Sequence, residues 1–251
     1  MKRVAVITGV FGGIGYATAK LFHEKGWSVV GVDRKGKEDT GKCIELFLNY
    51  DVSNPEDVKK IFEDINHNYR RVDCLVNNAA IQIEKSICET TEEDWDLVYA
   101  SNMKSTFMCT KYSHNMLKVA QGSIVNVSSV HAYGTSKNIS AYASTKGALL
   151  AFTRAASLEF AGDSIRVNAI LPGATDTEML RAGLGRGHLS GENIEEMIYK
   201  LGQSHPMKRI GGPEEIANSI YFLADNSKSS FITGQALVVD GGALAQLSTE
   251  S

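Results

Sequence analysis

The sequence predicts an α/β fold: a doubly wound parallel sheet of about seven strands in a single domain spanning 1–251, with helices on both faces. Three observations lead there. Short apolar runs rich in Val and Ile recur along the chain and read as strands buried on both faces. Amphipathic spans separate them, so successive strands are joined by helical crossovers, which are right-handed and build a parallel sheet. A turn dense in glycine, Gly9 to Gly15, falls where the first strand hands over to the first helix.

Taken in order, the expected strands are Arg3 to Thr8, Ser28 to Asp33, Ile44 to Asp51, Val72 to Asn77, Ser123 to Ser128, Ile165 to Leu171 and Ala236 to Asp240. The expected helices are Ile14 to Lys25, Pro55 to Asn68, Glu92 to Ala120, Ser140 to Gly162 and Pro213 to Ala224. Start signals support two of them. Pro55 follows Ser53-Asn54 at a first helical position, and Thr90-Thr91-Glu92-Glu93 combines a cap with early acids. One stretch breaks the alternation: from Gly173 the chain turns polar and glycine-rich, with a short helical pattern from Asn193 to Leu201. An insertion at the carboxyl end of a strand is where an α/β enzyme carries a mobile substrate cover, so 173–210 reads as a lid.

At 251 residues, 43% hydrophobic and 22% charged, the chain has the make-up of an ordinary globule with one sizeable core. A net charge of -3 offers no basic footprint, so a nucleic-acid partner is not expected. No apolar stretch approaches the ~20 residues of a membrane span. The first strand begins at Arg3, which leaves no room for a signal peptide, and a cytoplasmic protein is expected. Cys43, Cys74, Cys88 and Cys109 lack a Cys-x-x-Cys spacing and fall in segments that read as core, so reduced, buried thiols are expected. The six histidines show no i, i+4 pair, and no metal site is expected.

The glycine turn reads Thr8-Gly9-Val10-Phe11-Gly12-Gly13-Ile14-Gly15, a Gly-x-x-x-Gly-x-Gly spacing. Glycines there permit positive φ and let backbone N–H groups and the helix N-terminus approach a pyrophosphate. The second strand ends in Asp33-Arg34. A carboxylate at that place accepts hydrogen bonds from ribose hydroxyls and repels a 2′-phosphate, which favours NAD over NADP, while Arg34 keeps NADP open. Asp51-Val52 and Asn77-Asn78-Ala79-Ala80 close the third and fourth strands on the same sheet edge, where ligands of open parallel sheets bind.

Tyr142 and Lys146 stand four residues apart on an expected helix, so their side chains share one face. A nearby ammonium favours the phenolate; lowering a phenol by ~3 units takes roughly 4 kcal/mol. Such a Tyr-x-x-x-Lys pair is common on amphipathic helices, and its weight comes from Ser129 thirteen residues upstream and from the glycine turn.

In this combination and order the chain resembles the short-chain dehydrogenase/reductase family, a Rossmann-type fold. The match runs from the Thr8 to Gly15 turn through Asp51, Asn77 to Ala80, Asn102, Ser129, Tyr142, Lys146 and Pro172-Gly173 to Asp240-Gly241-Gly242. Ala80 departs from the usual glycine, and Thr175 from the frequent Val or Ile. The resemblance implies that Tyr142 exchanges the substrate's hydroxyl proton, that Lys146 lowers the Tyr142 pKa and holds the nicotinamide ribose, and that Ser129 hydrogen-bonds the reacting oxygen. It implies that Asn102 binds a water linking Lys146 to solvent. It implies a cofactor site of Gly9, Phe11, Gly12, Gly13, Ile14, Gly15, Asp33, Arg34, Asp51, Val52, Asn78, Ala79, Ala80, Tyr142, Lys146, Pro172, Gly173, Thr175 and Thr177.

For the substrate, Gln82, Ser129, His131, Tyr142 and Arg181 are the candidates. Gln and His stand at similar positions in the family's D-3-hydroxybutyrate dehydrogenases, but the lysine those enzymes carry three residues before the tyrosine is Ile139 here. Arg181, Arg186 and His188 are charges the lid offers instead, or solvated loop residues. No aromatic residue precedes Tyr199 on the lid, which favours a compact polar alcohol, sugar or polyol, or a hydroxy acid. The alternatives are NADP-dependent reduction of a hydrophobic, steroid-like ketone, a lyase or epimerase that uses the nucleotide transiently, and a catalytically silent nucleotide sensor or scaffold. Ala148, Leu149, Leu150, Phe152 and Ala155, with Met103, Phe107 and Met108, present more apolar surface than one sheet contact uses, and resemble the family's four-helix contact; a homotetramer is expected in preference to a homodimer.

Overall fold

The alternating runs assemble into one parallel sheet of seven strands, ordered β3-β2-β1-β4-β5-β6-β7. In the computed structural model, which describes residues 2–36, 42–184 and 193–247, the strands are β1 (Val4–Thr8), β2 (Ser28–Asp33), β3 (Leu46–Asn49), β4 (Cys74–Asn77), β5 (Ser123–Val127), β6 (Arg166–Pro172) and β7 (Ala236–Val239). After β3 the chain crosses back over β1 to lay down β4, so the order reverses between β1 and β4. That switch point opens a crevice at the carboxyl ends of the strands.

Helices α1 (Gly13–Glu24) and α8 (Pro213–Ala224) cover one face, and α2 (Pro55–Asn68), α4 (Ser105–Ala120) and α5 (Ser140–Phe160) cover the other. Each face has its own core: Phe22, Trp27, Ile216 and Ile220 pack on Ile7 and Val76 on the first, and Ile61, Ile65, Leu117 and Ala156 on Val6 and Leu75 on the second. The start signals work as expected. Asn54 Oδ1 accepts from Glu56 N at 3.0 Å beside Pro55, and Thr91 and Asp94 form a capping box for α3 (Glu92–Tyr99).

The expected single helix from Glu92 to Ala120 is α3 and α4 joined by a π-helical turn, Ala100–Lys104. Ser105 and Thr106 hydroxyls donate back to the carbonyls of Ser101 and Asn102, relieving the stretched backbone there. The turn buries Asn102. The described part of 173–210, the segment expected as a lid, contains helices α6 (Glu178–Leu184) and α7 (Ile194–Gln203); the first was not expected. Arg186 and His188 lie outside the described residues.

Two expectations need correction. Cys43, Cys74 and Cys109 are buried, but Cys88 is exposed in the turn from Ser86 to Thr90, closed by the bond from Thr90 N to Ser86 O. Leu149, Leu150 and Met108 are buried within the chain, so they add nothing to an outer apolar face; of the expected residues Phe107 and Ala155 are exposed, and Leu158 joins them. Among the described residues no helix is long and apolar enough to cross a membrane, and no cluster of His, Cys, Asp and Glu could hold a metal ion.

Candidate active site

The crevice is a cavity of about 870 Å³ running from the glycine turn to α6. At its head, Gly9 adopts φ +63°, and a Cβ there would lie 2.8 Å from Ala79 Cα. Gly12 and Gly13 line the cavity, whereas Gly15 packs beneath, where a Cβ would collide with Gly9 O and sit 2.9 Å from Asn78 Nδ2. Asn78 braces this turn by donating to the carbonyls of Thr8 and Gly9, both at 3.0 Å. Helix α1 begins with Gly12 as its cap, no capping side chain and no acid in its first turn. Its first N–H groups and dipole therefore face the cavity unopposed, which suits a phosphate. Gly15→Ala is expected to shift the turn, and dye-monitored melting together with NADH titration should show a lower Tm and at least tenfold weaker binding, ~1.4 kcal/mol.

Asp33 stands at the end of β2, its Oδ2 accepting from Phe11 N and its Oδ1 from Lys35 N, each at 3.1 Å. These bonds fix the carboxylate at the crevice. Arg34 and Lys35 line it too. Asp51 also lines it while accepting from Ser53 N and Oγ at 2.9 and 2.7 Å. Phe11, Ile14, Val52, Ala79, Ala80, Pro172, Gly173, Thr175 and Thr177 complete the wall. Thr175 Oγ1 donates to Gly173 O at 3.1 Å, and Thr177 Oγ1 accepts from Leu180 N at 3.3 Å, capping α6. The residues present thus fit a dinucleotide: an anion-binding helix end, a ribose-facing carboxylate and a hydroxyl-rich far wall.

Below the cofactor cradle, Tyr142 and Lys146 project from α5. A buried chain holds that helix to the sheet, Asn77 Nδ2 donating to Asn126 Oδ1 and Asn126 Nδ2 to Thr153 Oγ1, each at 2.9 Å. Ser128 Oγ donates to Lys146 O at 2.8 Å, a second tie. Ser129 follows β5, accepts from His131 N at 3.2 Å and lines the cavity beside Tyr142, whose hydroxyl its side chain pulls toward the phenolate. Lys146 Nζ lies 5.3 Å from the Tyr142 ring centre and donates to Val127 O at 2.8 Å. Asn102 does not line the cavity. Its side chain grips Ile81 N and O at 2.8 and 2.9 Å and reaches Thr145 Oγ1 at 3.2 Å, so it braces the segment after β4 against α5.

The electrostatics differ from the expectation that Lys146 acidifies Tyr142. Burial pushes the Tyr142 hydroxyl up to about 12, against a downward pull from the Ser129 hydrogen bond. Burial also draws Lys146 down to about 7. Desolvation favours the neutral form of each group, and here it outweighs their mutual attraction. In this state the pair is a neutral phenol beside an amine that is easily discharged. Burial likewise lowers His131, whose ring meets Tyr142 edge-on at 6.0 Å between centres.

Gln82, Ser129 and His131 line the substrate end, as does the apolar face of α6, Met179, Leu180 and Leu184. Arg181 does not. It is clamped by Asp176 at 2.7 and 3.0 Å and by Glu195 at 2.6 Å, joining α6 to α7, so it supplies no spare charge to the cavity. The sequence reading missed the α6 face, Glu84, Lys137, Leu201 and His205. The 3.6-residue apolar spacing of Met179, Leu180 and Leu184 was a usable signal, masked by the glycines around it.

A family model described as enoyl-(acyl carrier protein) reductase matches residues 9–243. The chain is 35% identical to a 3-oxoacyl-(acyl-carrier-protein) reductase, FabG, of Thermotoga maritima, covering 96% of this chain and 97% of the relative. It is 35% identical to glucose and ribitol dehydrogenase homolog 2 of Arabidopsis thaliana, covering 96% and 85%. Among solved structures, ligand-free aldohexose dehydrogenase of Thermoplasma acidophilum superposes with a TM-score of 0.93 at 32% identity, over 98% of this chain and 96% of that one. ElxO with NADP bound superposes at 0.86 and 32% identity, over 98% and 100%.

Proposed function

The chain belongs to the short-chain dehydrogenase/reductase family and is an NAD(P)-dependent oxidoreductase acting on CH–OH groups; within that class we propose that it interconverts a secondary alcohol and a ketone with Tyr142 as general acid/base. The observation that carries this reading is the grouping of Tyr142, Ser129 and Lys146, the last one helical turn from the tyrosine, on the wall of one glycine-headed cavity. The bound nicotinamide supplies hydride transfer at the carbinol carbon. Tyr142 holds the proton that the ketone oxygen takes up, and burial keeps that proton in place at neutral pH. Ser129 holds the same oxygen while charge grows on it, as a preorganised neutral donor. Lys146 ties α5 to Val127 and, from the same cavity wall as Tyr142, would hold the nicotinamide ribose through its amine. In the alcohol-oxidising direction, the positive charge the oxidised cofactor brings opposes the burial effect on Tyr142.

NAD is the favoured cofactor: the Asp33 carboxylate is held by Phe11 N and Lys35 N at the end of β2, and a carboxylate at that strand end supports ribose binding and disfavours a 2′-phosphate. Asp33→Ala is expected to weaken use of NAD and relieve repulsion of NADP, moving the ratio of the two kcat/KM values by roughly 10- to 100-fold, about 1.4 to 2.7 kcal/mol. An unchanged ratio in steady-state assays would assign selectivity elsewhere.

The substrate reading is a compact polar alcohol, sugar or polyol, or hydroxy acid. Gln82 and His131 on the wall support it, as does likeness to relatives named for glucose, ribitol and aldohexose. The apolar face of α6 favours a second reading, NADP-dependent reduction of a hydrophobic ketone, in line with a relative named NADPH-dependent aldehyde reductase 1. We place the enzyme in the cytoplasm, where free cysteines stay reduced. We also propose a homotetramer: exposed Phe107 lines a shallow groove with Tyr99 and Met103, Leu158 is exposed further along α5, and Phe231 and Leu237 are exposed by the edge strand β7. Light scattering at micromolar concentration should report four protomers; a monomer contradicts this. Assay of alcohols, polyols, hydroxy acids and sterols with NAD and NADP, followed at the reduced-nicotinamide band, tests the function, which fails if no alcohol is oxidised.

A further inference from the structure

His205 lines the same cavity, yet it takes no part in the chemistry above. It lies just past α7, is only 7% exposed, and is held by two backbone bonds, His205 N to Gly202 O at 3.0 Å and Lys208 N to His205 O at 2.9 Å, while Met207 N two residues on donates to Gly241 O at 3.3 Å. Pro206 restricts its backbone further. A Cβ on Gly241 would lie 3.9 Å from His205 Cδ2, so the ring stands against the turn that follows β7. Ser129 and His131 enter from the end of β5, with β6 between. His205 therefore meets a different part of any substrate than the reacting oxygen.

Its ring chemistry is set by one contact. Nδ1 lies 2.8 Å from Leu201 O, and a carbonyl only accepts, so Nδ1 carries the hydrogen. In the neutral ring Nε2 is then a lone-pair acceptor. The buried side-chain polar atoms without a partner among the described residues are Trp27 Nε1 and Asn77 Oδ1. His205 Nε2 makes no hydrogen bond to a described residue, and the residue lines the cavity, which leaves this nitrogen as the ring's one polar atom for a ligand there.

We propose that His205 is a substrate-binding residue whose Nε2 accepts a hydrogen bond from a hydroxyl other than the one oxidised, which makes a polyhydroxylated compound, a polyol or aldose, the substrate class. This rests on the assignment of Tyr142 and narrows it. An acceptor on that wall pairs with a hydroxyl and repels a carboxylate, so it separates polyols from hydroxy acids.

Three probes with NAD test it: ribitol, D-glucose and the monohydroxy alcohol 3-pentanol, with His205→Leu and His205→Gln. Leucine fills the space without an acceptor, and kcat/KM for ribitol or glucose should fall roughly tenfold to hundredfold, mostly through KM, while 3-pentanol stays within about twofold. Glutamine, whose side-chain oxygen reaches a similar point, should recover most of the loss. NADH titration should be unchanged in both variants, any fall in Tm from loss of the Leu201 bond should not track the probe used, and nitrogen-15 spectra should show the Nδ1–H tautomer in the free enzyme. Equal losses on all three probes, or no difference between Leu and Gln, would show packing alone and overturn the inference. Wild-type turnover of 3-pentanol without turnover of either polyhydroxylated probe overturns it too, but leaves the Tyr142 assignment standing. Absence of turnover on every probe, with NADH bound or not, sinks both.

Discussion

Tyr142→Phe is expected to lower kcat by about 10²- to 10⁴-fold while leaving NADH affinity within a few-fold of wild type. The substitution removes one oxygen and keeps a ring of the same shape, buried and edge-on to His131. Ser129 still accepts from His131 N, so its side chain stays anchored and the fold should hold. The loss should therefore fall on kcat, because the proton that the phenol supplies is needed at the transition state and at no earlier stage. Single-turnover kinetics and nucleotide titration separate the two. A variant with undiminished kcat would mean that another group moves the proton.

Lys146→Met is expected to change how stability depends on pH, besides removing activity. Burial draws Lys146 down to about 7 from an ordinary value of 10.5. Between those values the unfolded chain holds a proton that the folded one has lost, so wild-type stability rises with pH, by about 1.4 kcal/mol per unit for one group. Below about 7 the buried ammonium is charged in both states and its desolvation cost is constant. Methionine has no such group. Stability of wild type relative to Lys146→Met should then climb by ~2 to 3 kcal/mol between pH 7 and 9 in urea melts. Tyr142, Cys74 and Cys109, all raised by burial to about 12, act with the opposite sign: their contribution is complete below the ordinary values of 10 and 9 and is lost as pH rises through about 12. The window below 9 avoids them. A flat difference between the variants would show that Lys146 stays charged in the fold.

The parts of this enzyme legible in the sequence are those whose signal is local. The glycine turn announces itself because strand, turn and helix are contiguous, and Gly9, Gly12 and Gly13 indeed line the crevice. Tyr142 and Lys146 share a face because helix periodicity puts them there. What stayed hidden depends on partners far along the chain. Asn102 looked like one helical polar residue, yet its bonds go to Ile81 and Thr145, brought in by folding. Arg181 carried a free charge on paper, and only the packing of α6 on α7 shows that Asp176 and Glu195 consume it. The expected acidification of Tyr142 failed for a similar reason. Spacing shows a cation nearby, but not that both groups are stripped of water, and desolvation decides the sign. Cys88 was expected in a core segment, but it sits in an exposed turn where even its apolar neighbour Ile87 is 77% exposed.

Transfer of isotope tests the central claim most directly. A secondary alcohol deuterated at its carbinol carbon, incubated with the wild-type enzyme and NAD, should yield reduced nucleotide one mass unit heavier, and Tyr142→Phe should yield almost none. Deuterium found in the solvent, or retained in an altered substrate with no reduced nucleotide formed, would contradict hydride transfer in this crevice.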